Sequence, residues 1–156
     1  MSNIINPNEL LNPILVEQRF SQIQQSEFTA VQEFQIKKTA RDYKQCAVMM
    51  YDNLNHQLQT ESLAHNWSNV MRLTQQIQSV NDAIAIADKY DSAVKSRFDN
   101  LPTRKERLTD EERRTIFHHY HGDANTTQDM LAQDFRRSQS TIQGIVTSDP
   151  SKFTKN

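Results

Sequence analysis

The chain has 156 residues, a length that suits one ordinary domain or two small ones. It contains only 2 glycines and 4 prolines, too few turn-forming residues for a many-stranded sandwich or barrel, so the composition favours an all-α protein with long helices. The formal net charge of −1 gives the chain as a whole no electrostatic attraction to nucleic acid or to anionic lipid.

Residues 1–12 are expected to form a short arm that leads into the first helix. Asn12 followed by Pro13 predicts a helix start, because Asn is a favourable N-cap and Pro suits the first helical position. The amphipathic pattern that follows slips in phase near residues 24–27. From Ile36 to Leu54 the apolar residues recur in steps of four and three, which is the pattern of a helix that packs on another helix.

A second helical seam runs from Leu63 to Phe98 and is interrupted by Asp91. No Gly or Pro separates the two seams, so the break is placed where Thr60 or Ser62 is able to cap a new helix. Two architectures stay open, namely an antiparallel hairpin of two long helices and a continuous helix that pairs with another chain.

The long-helix region, residues 13–100, is expected to associate with itself or with a partner protein. Two amphipathic helices bury little apolar surface on their own, so a homo-oligomer, most simply a dimer, would complete the packing. The alternative is that the hairpin closes on itself and on the C-terminal helices.

Pro102 marks the end of the long-helix region, because proline lacks an N–H and disfavours helical geometry before it. Arg104, Lys105 and Arg107 make residues 101–108 a basic linker. A helix start follows at Thr109, where TDEE predicts a capping box with Glu112.

A small three-helix domain is predicted for residues 109–147, with residues 148–156 as a tail. The first helix spans about residues 110–121 and is expected to end in a left-handed cap at Gly122. Thr126 is expected to cap the second helix, which ends near Phe135, and Ser138 is expected to cap the third.

Two adjoining stretches carry a family resemblance, LTDEERRTIFHHYHGDANT (108–126) and TQDMLAQDFRRSQSTIQGIV (127–146). Together they resemble the helix-turn-helix DNA-binding domain of phage and bacterial regulators and of resolvases or transposases. The matching positions are Gln128, Leu131, Ala132, Phe135, Ser138, Thr141, Ile142 and Ile145. The resemblance implies a small phage or bacterial transcriptional regulator that binds double-stranded DNA in a sequence-specific manner, with its third helix in the major groove.

The resemblance also implies roles for individual polar residues. Base edges would be read by Gln139, Ser140 and Gln143, with Ser138 and Thr141 near phosphates. Backbone phosphates would be contacted by Arg113 and Arg114 of the first helix and by Arg104, Lys105 and Arg107 of the linker. Residues 101–156 carry 9 Lys and Arg against 8 Asp and Glu, an excess of only one positive charge.

Three residues depart from the family pattern. Arg136 stands where a glycine commonly takes positive φ, at a cost on the order of 1 kcal/mol. Arg137 stands where an apolar side chain usually enters the core, so it must turn outward or pair with an acid such as Asp134. Gly144 lies inside the third helix, which costs up to about 1 kcal/mol relative to Ala. We interpret the two arginines as phosphate contacts at the turn; the alternative is a module that has lost base reading and binds protein.

Catalysis and cofactor binding are not expected. The sequence has no Gly-rich phosphate loop and no nucleophile elbow, and His118 and His121 lack the further ligands of a metal site. A single cysteine, Cys46, and the absence of a signal peptide or an apolar run of membrane length favour a cytoplasmic protein without a membrane partner.

Two other functions stay open. One is a helical interaction or inhibitor protein with an accessory or autoregulatory helix-turn-helix. The other is a DNA-packaging subunit similar to small terminases.

Overall fold

The structure, a computed structural model, describes residues 7–152 (without the side chains of Pro7 and Asn8). The outer ends of the predicted arm and tail, residues 1–6 and 153–156, lie outside the described residues. Within the described range there is no strand, so the predicted all-α class is confirmed. The helices are α1 (Pro13–Gln22), α2 (Ala30–Leu63), α3 (Trp67–Phe98), α4 (Asp110–Gly122), α5 (Gln128–Phe135) and α6 (Gln139–Val146), with short 3₁₀ helices at Pro7–Leu11 and Pro150–Lys152.

The chain divides into two compact units that share helix α2. Of the described residues, the hairpin unit contains 7–25 and 36–97. The C-terminal unit contains residues 26–35 and 98–152. The predicted domain boundary at residues 101–108 therefore misses the first turns of α2, which belong to the C-terminal unit.

The two long helices of the hairpin unit pack against each other after a connection of three residues. Tyr43 and Ala47 of α2 are buried, and the Tyr43 ring meets the ring of Tyr90 on α3 edge to face, with 6.5 Å between the ring centroids. Lys44 of α2 reaches Asp91 of α3 at 3.6 Å, which explains how the acid that interrupts the second seam is tolerated. Of the two predicted architectures, the hairpin is the one observed.

The reversal between the long helices lies later than predicted. Thr60 and Ser62 are inside α2 and cap nothing, because the helix continues to Leu63. The chain turns at residues 64–66, where His65 adopts a left-handed conformation with φ of 58°. A non-glycine residue in that conformation leaves no composition signal, so the sequence pattern misplaces the break.

The described part of the predicted arm is packed on the hairpin unit. The Asn12 side chain accepts hydrogen bonds from the N–H groups of Ile14 and Leu15, so the predicted cap of α1 is confirmed. Leu10 is buried beside Tyr43, whose hydroxyl donates to Glu9 at 2.6 Å.

The C-terminal unit is built around one apolar core. Residues from the start of α2 join residues of α4, α5 and α6 in it, and its buried members are Val31, Phe34, Ile116, Phe117, Leu131, Phe135, Ile142, Ile145 and Val146. Phe34 stacks on Phe135 with 4.7 Å between ring centroids, so α2 contributes a central side chain. The start of α2 is fixed by a reciprocal capping box between Thr29 and Gln32.

The three short helices begin at polar caps. Thr109 accepts from the N–H of Glu112 and Ser138 accepts from the N–H of Thr141, as predicted. The cap of α5 is Thr127, one residue later than the predicted Thr126. The left-handed cap predicted at Gly122 is wrong, because neither glycine has positive φ and α4 ends into an extended residue.

Candidate functional site

The turn between α5 and α6 consists of residues 136–138. Arg136 takes the left-handed conformation predicted for the glycine position, with φ of 53° and ψ of 45°. The backbone N–H of Arg137 donates to the carbonyl of Ala132 and closes the C-terminus of α5. Ser138 then starts α6, so the turn has the spacing predicted from the sequence.

The Arg136 guanidinium is bound inside the C-terminal unit. Its Nε and Nη2 donate to the two carboxylate oxygens of Glu33 at 3.0 and 3.1 Å, and its Nη1 donates to the carbonyl of Pro102 at 2.6 Å. Glu33 is only 1% exposed and also accepts from Nη2 of Arg104 at 2.9 Å. One buried carboxylate therefore holds two arginines, from the turn and from the predicted linker.

Arg137 is bound in the same manner by a different acid. Its Nε and Nη2 donate to the carboxylate of Glu112 at 2.9 and 3.1 Å, and its Nη1 donates to the carbonyls of Arg104 and Glu106. The acid of this bidentate pair is thus Glu112 of α4, and not the suggested Asp134. In the predicted capping box, the Glu112 carboxylate would accept a hydrogen bond from the backbone N–H of Thr109. In the structure it accepts from Arg137.

The predicted linker is consequently part of the folded unit. The backbone N–H of Arg104 donates to the carbonyl of Arg136 at 2.8 Å. The side chains of the two turn arginines donate in addition to three backbone carbonyls of this segment, those of Pro102, Arg104 and Glu106. The pKa of Glu106 is lowered, first by a backbone hydrogen bond and then by the charge of Arg104. Lys105 and Arg107 are the exposed cations of this segment.

The solvent-facing placement expected for three arginines is wrong. The side chains of Arg104, Arg136 and Arg137 are 10%, 18% and 8% exposed, and each guanidinium pairs with a buried glutamate. The bidentate pairs of Arg136 and Arg137 satisfy most donors of each guanidinium and hold it in place, whereas Arg104 reaches Glu33 through Nη2 alone. The geometry gives these residues a structural role in joining α2, the linker, α4 and the turn.

Helix α6 has one buried face and one exposed polar edge. Ile142, Ile145 and Val146 are buried, whereas Gln139, Ser140, Gln143 and Gly144 are exposed. The predicted base-reading residues therefore share one solvent-facing edge.

The hydroxyl groups at the start of α6 contact one another. Ser138 Oγ lies 2.8 Å from Thr141 Oγ1 and 3.1 Å from Ser140 Oγ. These contacts order the first turn of the helix and leave the amides of Gln139 and Gln143 as the long polar groups of the edge.

An open groove of about 450 Å³ runs between α4 and α6. Two of the predicted phosphate contacts, Arg113 and Arg114, lie on its lining together with Lys152, a residue of the predicted tail. The lining residues are Leu108, Asp110, Arg113, Arg114, Thr141, Gly144, Ile145, Ser148 and Lys152. Three cations and two hydroxyl groups thus lie beside the polar edge of α6, against one carboxylate.

Two residues of this region were missed by the sequence reading. Lys152 lies in the 3₁₀ helix after Asp149, whose side chain accepts from the N–H of Ser151 at 3.0 Å. This local turn was detectable in DPSK as an Asp-Pro turn signal. Glu33 had no detectable signal, because its partner Arg136 is 103 residues away.

The histidines at the end of α4 serve packing contacts. His121 Nε2 lies 2.8 Å from the carbonyl oxygen of Val146, and its ring packs on Phe117 at 4.4 Å. Among residues 7–152 no group of three or more His, Cys, Asp or Glu side chains is arranged to hold a metal ion. In the same range, none of the helices combines the length and apolarity needed to cross a bilayer.

Comparisons with known proteins give the chain no relative. No protein-family model matches it, and no significant match was found among curated proteins or among solved structures.

Proposed function

We propose that the chain is a sequence-specific DNA-binding protein that acts as an oligomer in transcription regulation. The observation that carries this proposal is the exposed edge of α6, with Gln139, Ser140 and Gln143, placed next to the cationic groove between α4 and α6. Gln139 and Gln143 are four residues apart and so lie on the same face of the helix. A glutamine amide is able to pair with the N6 and N7 edge of adenine, and Ser140 accepts several bases.

The groove supports the proposal with backbone contacts. Arg113, Arg114 and Lys152 lie on its lining, where a phosphate strand that flanks the α6 edge would meet them. The buried arginines are excluded from this set, which leaves Lys105 and Arg107 as further exposed cations. With three to five available cations, a single unit should bind DNA weakly, and two linked units gain affinity through avidity.

Gly144 departs from the family pattern, but it lies on the lining of the groove, where a glycine leaves room for a partner. A Cβ added at this position would meet nothing within 4 Å, so no packing inside the protein requires a glycine here. A glycine inside a helix costs up to about 1 kcal/mol relative to Ala. Because Gly144 has no side chain, the backbone of a bound DNA strand would be able to approach α6 closely at this position.

Fluorescence anisotropy with a labelled duplex pool of randomised sequence tests the proposal. We expect binding that weakens between about 50 and 200 mM salt, with a steepness that reports the number of phosphate contacts. Arg114→Ala should lower that steepness by about 0.9, whereas Lys89→Ala, an exposed cation on α3, should leave it unchanged.

Base contacts need a separate pair of variants. After selection of a preferred duplex, Gln139→Ala with Gln143→Ala should cost about 1–3 kcal/mol per lost bidentate contact, and Gln18→Ala on the exposed side of α1 should cost nothing. Absence of binding at low salt, or equal effects of the glutamine variants and the control, would refute the proposal.

A second candidate is a helical interaction or inhibitor protein, in which the C-terminal unit is accessory. The inward placement of Arg104, Arg136 and Arg137 favours it, because it removes three cations from the surface. Failure of the duplex titration at low salt would move support to this candidate. A packaging subunit would bind DNA but assemble as a ring, which the solution mass distinguishes from a dimer.

A further inference from the structure

The outer half of the hairpin, residues 53–81, differs in charge from the rest of the chain. Its 29 residues contain only two charged side chains, Glu61 and Arg72, whereas 24% of the whole chain is charged. Ten of the 29 residues are Asn or Gln. Depletion of charged residues is the compositional mark of the core of a protein–protein interface.

Large apolar side chains are exposed in the same outer half. Leu63 at the end of α2 is 83% exposed, and Trp67 and Met71 at the start of α3 are 59% and 67% exposed. Trp67 and Met71 are four residues apart, so they lie on one face of α3. Exposed apolar groups that cluster within a low-charge surface mark an association site more strongly than scattered ones.

The inner half of the hairpin has a different surface. There Lys44 pairs with Asp88 at 3.4 Å and Lys95 pairs with Asp91 at 3.1 Å, as expected for a solvated face. Met49 is also exposed on the inner half, so it is the low charge, together with the exposed apolar side chains, that distinguishes the outer half.

We propose that the outer half of the hairpin is the surface on which a second copy of this chain docks. Its two charges are opposite in sign and lie on the two different helices, Glu61 on α2 and Arg72 on α3. A two-fold interface pairs one patch with an identical patch, so each glutamate is able to meet the arginine of the other copy. With no further charges in the segment, self-docking meets little like-charge repulsion.

A second copy is favoured over a foreign partner because this surface is complementary to itself in both charge and apolarity. The purpose of the pairing rests on the proposed function, since two C-terminal units on one duplex provide the avidity that a weakly charged unit requires. The pairing itself does not involve DNA, and its test is carried out without DNA.

The chain's only tryptophan, Trp67, lies within the proposed interface and reports on it. Mass photometry or sedimentation of the full chain should give a concentration-dependent dimer. The emission maximum of Trp67 should shift to longer wavelength on dilution over the same concentration range, because dissociation exposes the indole.

A matched pair of methionine variants locates the interface. Met71→Glu should raise the dimer dissociation constant by about tenfold or more, because a two-fold interface carries the buried carboxylate twice. Met49→Glu is the control, since Met49 is 62% exposed on α2 but lies outside residues 53–81. A chain that is monomeric at every accessible concentration, or equal effects of the two variants, would overturn the proposal.

A charge exchange then separates self-docking from docking of another surface. Glu61→Arg should weaken the dimer, because each new arginine would face Arg72 of the other copy. The double variant Glu61→Arg with Arg72→Glu should restore it. A double variant that is weaker than Glu61→Arg alone contradicts the reciprocal pairing.

Discussion

Two buried glutamates, Glu33 and Glu112, determine what three arginines are able to do. Each carboxylate accepts bidentate hydrogen bonds from one turn arginine, and Glu33 also accepts from Arg104. A charge this buried is stable only when it is paired, so the glutamates and arginines depend on each other. The two arginines of the turn therefore stabilise the fold of the C-terminal unit and are not placed to bind phosphate.

Arg136→Gly tests the strength of the Glu33 pair against the backbone conformation. The glycine would relieve a left-handed cost of about 1–2 kcal/mol. Loss of one partner of a buried ion pair costs about 3–5 kcal/mol when it leaves the other charge unpaired. Glu33 keeps Arg104 as a partner, so the loss should be smaller here, and we expect a net destabilisation of about 1–2 kcal/mol in urea unfolding. The exposed Arg114→Ala should change stability by less than about 0.5 kcal/mol. A neutral or stabilising Arg136→Gly would show that the pair contributes less than the backbone strain.

The Tyr43 hydroxyl gives the hairpin unit a pH dependence at the alkaline end. Burial first, and then the hydrogen bond to the Glu9 carboxylate, raise the pKa of Tyr43 from about 10 to about 12. Because the folded-state pKa is raised, the stabilisation is fully present below pH 10 and is lost as the pH rises through about 12.

Tyr43→Phe should therefore flatten the loss of stability between those pH values and remove one late step from the ultraviolet titration of the tyrosines. Any pH dependence of the unfolding free energy that remains in this window would then come from other titrating groups. An unchanged titration curve would contradict the assignment.

At the scale of the helices, the sequence predicted where most helices begin, but it was less successful at predicting where they end. Asn12, Thr109 and Ser138 cap helices as predicted, because their side chains satisfy free N–H groups locally. The end of α2 depends on a left-handed His65, which carries no residue-type signal. The start of α2 had an available signal in Thr29 and Gln32, obscured by the phase slip that precedes it.

Phe34→Ala tests whether the first turns of α2 belong to the C-terminal unit. Phe34 is 2% exposed and stacks on Phe135, so its truncation should destabilise this unit by about 3–5 kcal/mol. The neighbouring exposed residue provides the control, because Gln35→Ala removes no core contact. Chemical denaturation followed by circular dichroism is the measurement, and an effect below about 1 kcal/mol would contradict the shared core.

Gly144→Ala should separate stability from binding. The substitution fits without a clash and should stabilise α6 by about 0.5–1 kcal/mol. It also adds a methyl group to the groove, so duplex binding should weaken. The two effects are read by thermal unfolding and by anisotropy on the same protein. Stabilisation with unchanged duplex affinity would remove Gly144 from the proposed interface.

For the whole molecule, the sequence predicted the class of fold but not the way in which the chain is divided. The periodicity of two long helices and the caps of three short ones depend on local patterns, which a single sequence contains. The assignment of residues 26–35 to the C-terminal unit depends on contacts such as Glu33 with Arg136, which join distant parts of the chain. The polar edge of α6 was predicted from the family resemblance, carried over position by position, whereas Lys152 joins the groove through the following turn.

The most direct test of the DNA-binding proposal is backbone amide NMR of the 18.2 kDa chain during titration with a short duplex at low salt. We expect the largest shift changes at Gln139, Ser140 and Gln143, with further changes at Arg114 and Lys152 of the groove. Changes that are absent, or that are confined to the hairpin unit and leave α6 unperturbed, would contradict the proposal.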